Sequence, residues 1–226
     1  MSKAVPPLRI LCIHGYRQNG NSFREKTGAL RKLLKKQVEL VYINAPHQVP
    51  AIQNETYQEP EKACGGDEDQ GGWWFSNVQE RSFNAQEDCE SSLGLEDSVS
   101  TVRTAVKELG PFDGILGFSQ GAALVAILCA LQEQKLEPDF NFRFAILVAG
   151  FRSACSQHQR FYEGPSITIP SLHVFGQDDR VIPEKMSQDL LPTFDGVQIL
   201  VHPGGHFIPA ASMHRQTYQD FLKKFQ

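Results

Sequence analysis

Gly110-Pro111-Phe112-Asp113-Gly114-Ile115-Leu116-Gly117-Phe118-Ser119-Gln120-Gly121, continued by the apolar run Ala122–Leu131, is the stretch that decides the fold. Phe112–Leu116 reads as a short buried strand. Gln120–Gln134 is apolar almost all round, which suits a helix buried on every side. Between them stands Gly117-Phe118-Ser119-Gln120-Gly121, a G-x-S-x-G. A serine at a tight strand-to-helix turn adopts a strained backbone, and a glycine two residues to either side lets strand and helix approach closely. The hydroxyl then stands clear of the sheet above a helix N-terminus, where developing negative charge is favoured. A chance G-x-S-x-G lacks these flanks, so the context predicts a nucleophilic Ser119.

Outward from this elbow the same grammar repeats. Leu8–Ile13, Leu40–Ile43, Phe144–Val148, Leu172–Phe175 and Gln198–Val201 are further short apolar runs that read as parallel strands. Phe23–Gln37, Ser92–Leu109, Glu184–Leu191 and Arg215–Phe225 carry helical spacing, and Gly110-Pro111 stops the second of them. Strand and helix alternate to the end. This predicts an α/β fold over residues 1–226, with a mostly parallel central sheet and helices on both faces. Residues 45–91 break the rhythm with Pro46, Pro50 and Pro60, paired glycines, the acids Asp67-Glu68-Asp69, and then Trp73-Trp74-Phe75. A long irregular excursion inside a compact domain is usually a functional loop or a disordered one.

Composition narrows the class. The chain has 226 residues, 41% hydrophobic and 21% charged, as a globular domain with a sizeable core would. Its 22 basic and 26 acidic residues give a net charge of −4, without the basic excess of a protein that lives on nucleic acid. The longest apolar run is about half the roughly 20 residues needed to span a bilayer. The N-terminus lacks the long apolar region and cleavage site of a signal peptide. Five scattered cysteines, never spaced as C-x-x-C, indicate neither a disulfide framework nor a zinc site. A cytoplasmic chain with reduced thiols is the simplest expectation, and nothing in the composition speaks against the nucleus.

Serine needs a base, and the base an orienting acid. After an elbow of this kind the acid comes next in the chain and the histidine last. Leu172–Phe175 leads into Gly176-Gln177-Asp178-Asp179-Arg180-Val181-Ile182-Pro183, and Gln198–Val201 into His202-Pro203-Gly204-Gly205-His206-Phe207. Both loops fall at the carboxyl edge of the expected sheet, where open α/β sheets bind ligands. Asp179 is favoured over Asp178 by its offset from Pro183, with Glu184 next. His206, after a flexible Gly-Gly pair, is favoured over His202 at the strand's last position. His47, His158, His173 and His214 have no ligand spacing and read as packing or surface residues. The oxyanion of acyl transfer needs backbone donors, expected from Gln120 N–H after the nucleophile and Tyr16 N–H after Gly15, with His14 bracing that loop. Neither G-x-G-x-x-G nor G-x-x-x-x-G-K-[ST] is present, which argues against a nucleotide cradle.

His14-Gly15-Tyr16-Arg17-Gln18-Asn19, Trp73-Trp74, the 110–121 stretch and Pro203-Gly204-Gly205-His206-Phe207-Ile208-Pro209 together make the chain resemble the FSH family of serine hydrolases over nearly its whole length. Residues 48–70 match none of its motifs. The resemblance implies an α/β-hydrolase fold without a large cap domain. It also implies a carboxylesterase acting on long-chain alkyl esters, and it carries the triad onto Ser119, Asp179 and His206. Such chemistry uses no metal or organic cofactor. The expected partner is a small, lipid-like ester, with Trp73, Trp74, Phe151 and Phe207 as candidate substrate contacts and the 45–91 excursion as the candidate wall. A thioesterase acting on acylated protein or coenzyme A uses the same machinery, and a non-catalytic binding module keeps the same fold.

Overall fold

The computed structural model describes residues 3–50 and 69–226. Pro60, Gly65-Gly66 and Asp67-Glu68 of the excursion lie outside the described residues. In chain order the main elements are β1 (Leu8–Ile13), α1 (Gly20–Lys26), α2 (Gly28–Leu33), β2 (Val38–Tyr42), β3 (His47–Gln48), β4 (Gly71–Gly72) and α3 (Leu95–Leu109). Then follow β5 (Gly114–Phe118), α4 (Gln120–Glu133), β6 (Phe144–Val148), β7 (Ser171–Gly176), α5 (Glu184–Leu190), β8 (Gln198–His202) and α6 (Arg215–Lys223). Six strands form one sheet in the order β2-β1-β5-β6-β7-β8, every pairing parallel. β5, β6 and β7 are buried at every residue, so both faces of the sheet's middle are covered. The edge strand β8 alternates instead, with Ile199 and Val201 exposed and Leu200 buried.

α4 lies at the centre of the core, buried from Gln120 through Leu131. The apolar-all-round pattern of its sequence is thereby accounted for. Two expectations need correction. The single helix over Phe23–Gln37 is two short ones, broken at Thr27 (φ −94°, ψ 6°). Thr27 Oγ1 donates back to Phe23 O at 2.9 Å, and Gly28 follows, so a back-bonding side chain and a poor helix former coincide at the break. α1 itself begins earlier than expected, at a capping box in which Ser22 N–H donates to Asn19 Oδ1 and Asn19 N–H to Ser22 Oγ. The strand expected over Phe112–Leu116 instead runs from Gly114 to Phe118. Asp113 sits before it, pinned by Arg9, whose N–H donates to Asp113 Oδ2 at 2.8 Å. The strand therefore delivers the chain directly into Ser119.

The described part of the excursion is tied to the body. β3 and β4 pair antiparallel, Phe75 bridges Leu93, Asn77 bridges Ser82, and Cys89 bridges Cys155.

Candidate active site

Ser119 has φ 56° and ψ −119°, a left-handed conformation that a non-glycine residue adopts at a cost. What holds it is the close approach of its neighbours. A Cβ at Gly117 would collide with the Gly121 carbonyl, and one at Gly121 with the carbonyls of Ile13 and His14. Ser119 N–H is anchored on Val148 O at 2.9 Å. The next residue does a different job with its side chain. Gln120 is fully buried, accepts from Trp73 N–H at 2.9 Å and donates to Trp74 O at 2.8 Å.

Asp179 lies in the loop after β7 and is 6% exposed. Its Oδ1 accepts from the amides of Val181 (3.0 Å) and Ile182 (2.9 Å), and its Oδ2 meets His206 Nδ1 at 2.8 Å. Burial acts against its charge. The hydrogen bond from His206, the imidazole's charge and the two loop amides outweigh it, and hold the carboxyl below its ordinary range. Asp178 instead faces solvent, 3.9 Å from Arg180. With Nδ1 turned to a carboxylate, His206 carries its proton there and leaves Nε2 as the acceptor. Phe118 packs on the imidazole with ring centroids 4.7 Å apart.

His202 is buried at the end of β8, where Nδ1 accepts from Gly204 N–H at 3.2 Å. Burial lowers its pKa. His14 is buried beneath the first loop. Its Nε2 accepts from Ala45 N–H at 3.0 Å and its Nδ1 lies 2.7 Å from Gly15 O, which fixes the neutral Nδ1–H tautomer. Burial pushes this imidazole down to about 4, so it braces the loop without titrating near neutrality. Within the loop, the Gly15, Arg17 and Gln18 amides bind Gln18 Oε1, Gly71 O and Gly15 O respectively.

A pocket of about 480 Å³ opens over these loops. Ser119 and His206 line it together with Tyr16 to Gln18, Phe83 to Gln86, Phe118, Val181 and Ile182. Trp73, Trp74 and Phe151, the expected substrate contacts, are buried to 1% exposure or less and line none of it. Trp73 is spent on structure, donating from Nε1 to His14 O at 2.8 Å. Phe207 is half exposed and packs on His202, also away from the lining. Of the aromatic residues that line the pocket, Tyr16, Phe83 and Phe118, Phe83 is the one that sequence reasoning missed. Its ring stands on Tyr16 (5.3 Å), Trp74 (5.4 Å) and Phe151 (6.0 Å), so Trp74 and Phe151 support the wall from behind. The one signal for it was a lone aromatic in the polar run Arg81-Ser82-Phe83-Asn84.

Residues 1–218 match the family model described as "Serine hydrolase (FSH1)". The chain is 82% identical over 223 residues to a zebrafish (Danio rerio) protein named Esterase OVCA2, covering 97% of this chain and 98% of that one. It is 47% identical over 227 residues to the human protein of the same name, with 98% of each covered. Among solved structures, esterase PE8 superposes with a TM-score of 0.64 at 20% identity, covering 98% of this chain and 94% of that one. Acyl-protein thioesterase 2 of Zea mays superposes with a TM-score of 0.66 at 18% identity, covering 98% and 96%. Both likenesses concern the fold, while the sequence relatives fix the lineage. The parallel sheet, the strained serine turn and these matches lead to one conclusion: the chain belongs to the FSH1 family of serine hydrolases and is a serine esterase on the α/β-hydrolase fold.

Proposed function

We propose that the chain hydrolyses carboxylic esters with long alkyl or acyl chains through a Ser119–His206–Asp179 triad and an acyl-enzyme. The observation that carries this reading is the 2.8 Å bond from His206 to a buried, doubly amide-held Asp179, in a pocket shared with the strained Ser119. His206 Nε2 takes the Ser119 proton as Oγ attacks the ester carbonyl, and Asp179 stabilises the imidazolium that forms. The amides of Gln120 and Tyr16 hold the oxyanion. Gln120 N–H, first in α4, has no acceptor within its helix, and Tyr16 N–H belongs to a turn whose other amides are engaged. The alcohol leaves with the proton from His206, and water then releases the acid by the same steps in reverse.

Chain-length selection is supported by the apolar wall of Phe83, Ala85, Phe118, Val181 and Ile182. Each methylene enclosed there contributes about 0.8 kcal/mol, so a long chain outcompetes a short one by one to two orders of magnitude in kcat/KM. Fluorophosphonate labelling combined with a series of p-nitrophenyl esters from acetyl to decanoyl tests the reading. Labelling lost in Ser119→Ala, and a rising series in the parent, are expected. A flat series removes the long-chain assignment. Undiminished turnover by Ser119→Ala removes the triad. Matched decanoyl thioesters run alongside separate an esterase from a thioesterase.

A further inference from the structure

Cys89 and Cys155 face each other across a parallel bridge at some remove from the triad. Cys89 N–H donates to Ala154 O at 3.4 Å, and Ser156 N–H to Cys89 O at 2.8 Å, so the two backbones run side by side. Facing residues of such a ribbon direct their Cβ atoms to the same side, and neighbouring strands lie about 4.7–4.9 Å apart. That spacing falls within the roughly 4.4–6.8 Å between Cα atoms that a disulfide spans. Both thiols are free, and the Cys155 thiol donates to Glu90 O at 3.7 Å, next to Cys89 in the chain. Cys89 is half-buried and reachable, whereas Cys155 is 1% exposed behind it.

We propose that Cys89 and Cys155 are a covalent modification site, a pair that closes to a reversible disulfide by exchange with a small disulfide such as glutathione disulfide. The Cys89 thiolate attacks one sulfur of the oxidant, breaking its S–S bond and releasing one glutathione as thiolate, which takes up a proton. The Cys155 thiolate then attacks the Cys89 sulfur of the mixed disulfide and expels the second glutathione. Two protein thiols are oxidised by two electrons, one glutathione disulfide is reduced to two thiols, and no proton is gained or lost overall. Burial, together with Cys155 and Asp88, pushes the Cys89 thiol up to about 12, so closure is slow at neutral pH. Cys12 and Cys129 lie fully buried elsewhere in the core and take no part.

The bridge sits at the far end of the segment that carries Phe83 to Gln86. Closing it fastens the pocket wall to the loop after β6, where Phe151 backs Phe83. Neither sulfur lines the pocket, so ester chemistry continues in the cross-linked form.

The test uses the full chain, reduced, freed of reductant and held with excess glutathione disulfide at about pH 8. Alkylation and peptide mapping should find two of the five thiols lost, a Cys89–Cys155 linked peptide, and full reversal by dithiothreitol. The melting temperature of the linked form should rise by roughly 5–15 °C, since the link closes a long loop. Cys155→Ala should stop at a stable glutathione adduct on Cys89, and Cys89→Ser should form no link. Five thiols retained, or a link made through Cys12, Cys64 or Cys129, overturns the proposal. Both of those outcomes are read on the unmutated chain, so a variant that fails to fold leaves the test intact.

Discussion

The loops of the proposed triad and the pocket wall meet at the same opening but are held by different means. Ser119, Asp179 and His206 stand at the ends of β5, β7 and β8, and the sheet's backbone sets where they point. The wall, residues 69–94, has little regular structure. Its backbone bridges, Phe75 to Leu93 and Cys89 to Cys155, are reinforced by side chains from distant parts of the chain: Gln120 clamping Trp73 and Trp74, Ser98 Oγ on Trp73 O at 2.5 Å, and His158 between Ser92 and Ser153. Chemistry placed by backbone survives exchange of neighbouring side chains. A wall that leans on side chains as well as on a few backbone bridges loosens when one of those side chains goes.

The sharpest way to break this contrast is to remove charge from the proposed triad without disturbing the wall. Asp179→Asn should lower kcat by about 10⁴ with a near-parental melting temperature, while Asp178→Asn stays within about twofold. Equal, small losses from both variants would detach Asp179 from catalysis. On the wall side, Trp74→Ala should cost about 3–5 kcal/mol of stability, read by urea unfolding, because it empties a buried site rather than a substrate contact. A variant of parental stability that had lost only its chain-length preference would return Trp74 to the pocket.

Acid should loosen both regions together. Burial pushes His14 under the first loop, His158 behind the wall and His173 in β7 down to about 4, with Arg160 adding to the effect at His158. The folded state keeps these rings neutral, while the unfolded chain protonates them near the ordinary 6.5. Their contribution is therefore complete above about pH 6.5 and is lost as pH falls toward 4. It amounts to about 3 kcal/mol for each of His14 and His173. Asp179, whose carboxyl is held low, loses its contribution further down, as pH passes below the ordinary carboxylate range. Urea midpoints unchanged between about pH 7 and pH 4 would contradict this. The smallest effect expected is on selectivity. Phe83→Ala should cut kcat/KM for decanoyl esters by about 10- to 30-fold and leave acetyl esters within about twofold.

The same contrast explains what the sequence disclosed. All six strands of the sheet were legible as apolar runs, and the elbow, the Asp179 loop and the Gly-Gly turn before His206 were legible because each is a local event at a strand's end. The break at Thr27 was not, since helical spacing continues across it and only the back-bond and Gly28 interrupt the ladder. Phe83 was missed for the opposite reason. Nothing near it in the chain marks it, because Tyr16, Trp74 and Phe151, which give it a place, come from three separate segments. Trp73 and Trp74 drew attention by their size, yet their task is to support Phe83 and the first loop.

Ser119 carries a further consequence. A serine held at φ 56° costs on the order of 1–3 kcal/mol that a glycine there would not incur. Domains of this kind keep only about 5–15 kcal/mol in hand, so this one residue uses a measurable share of the margin that lets other positions vary. The sequence that folds best at position 119 is thus not the one that works. Mutational tolerance elsewhere in the chain is smaller than its well-filled core implies.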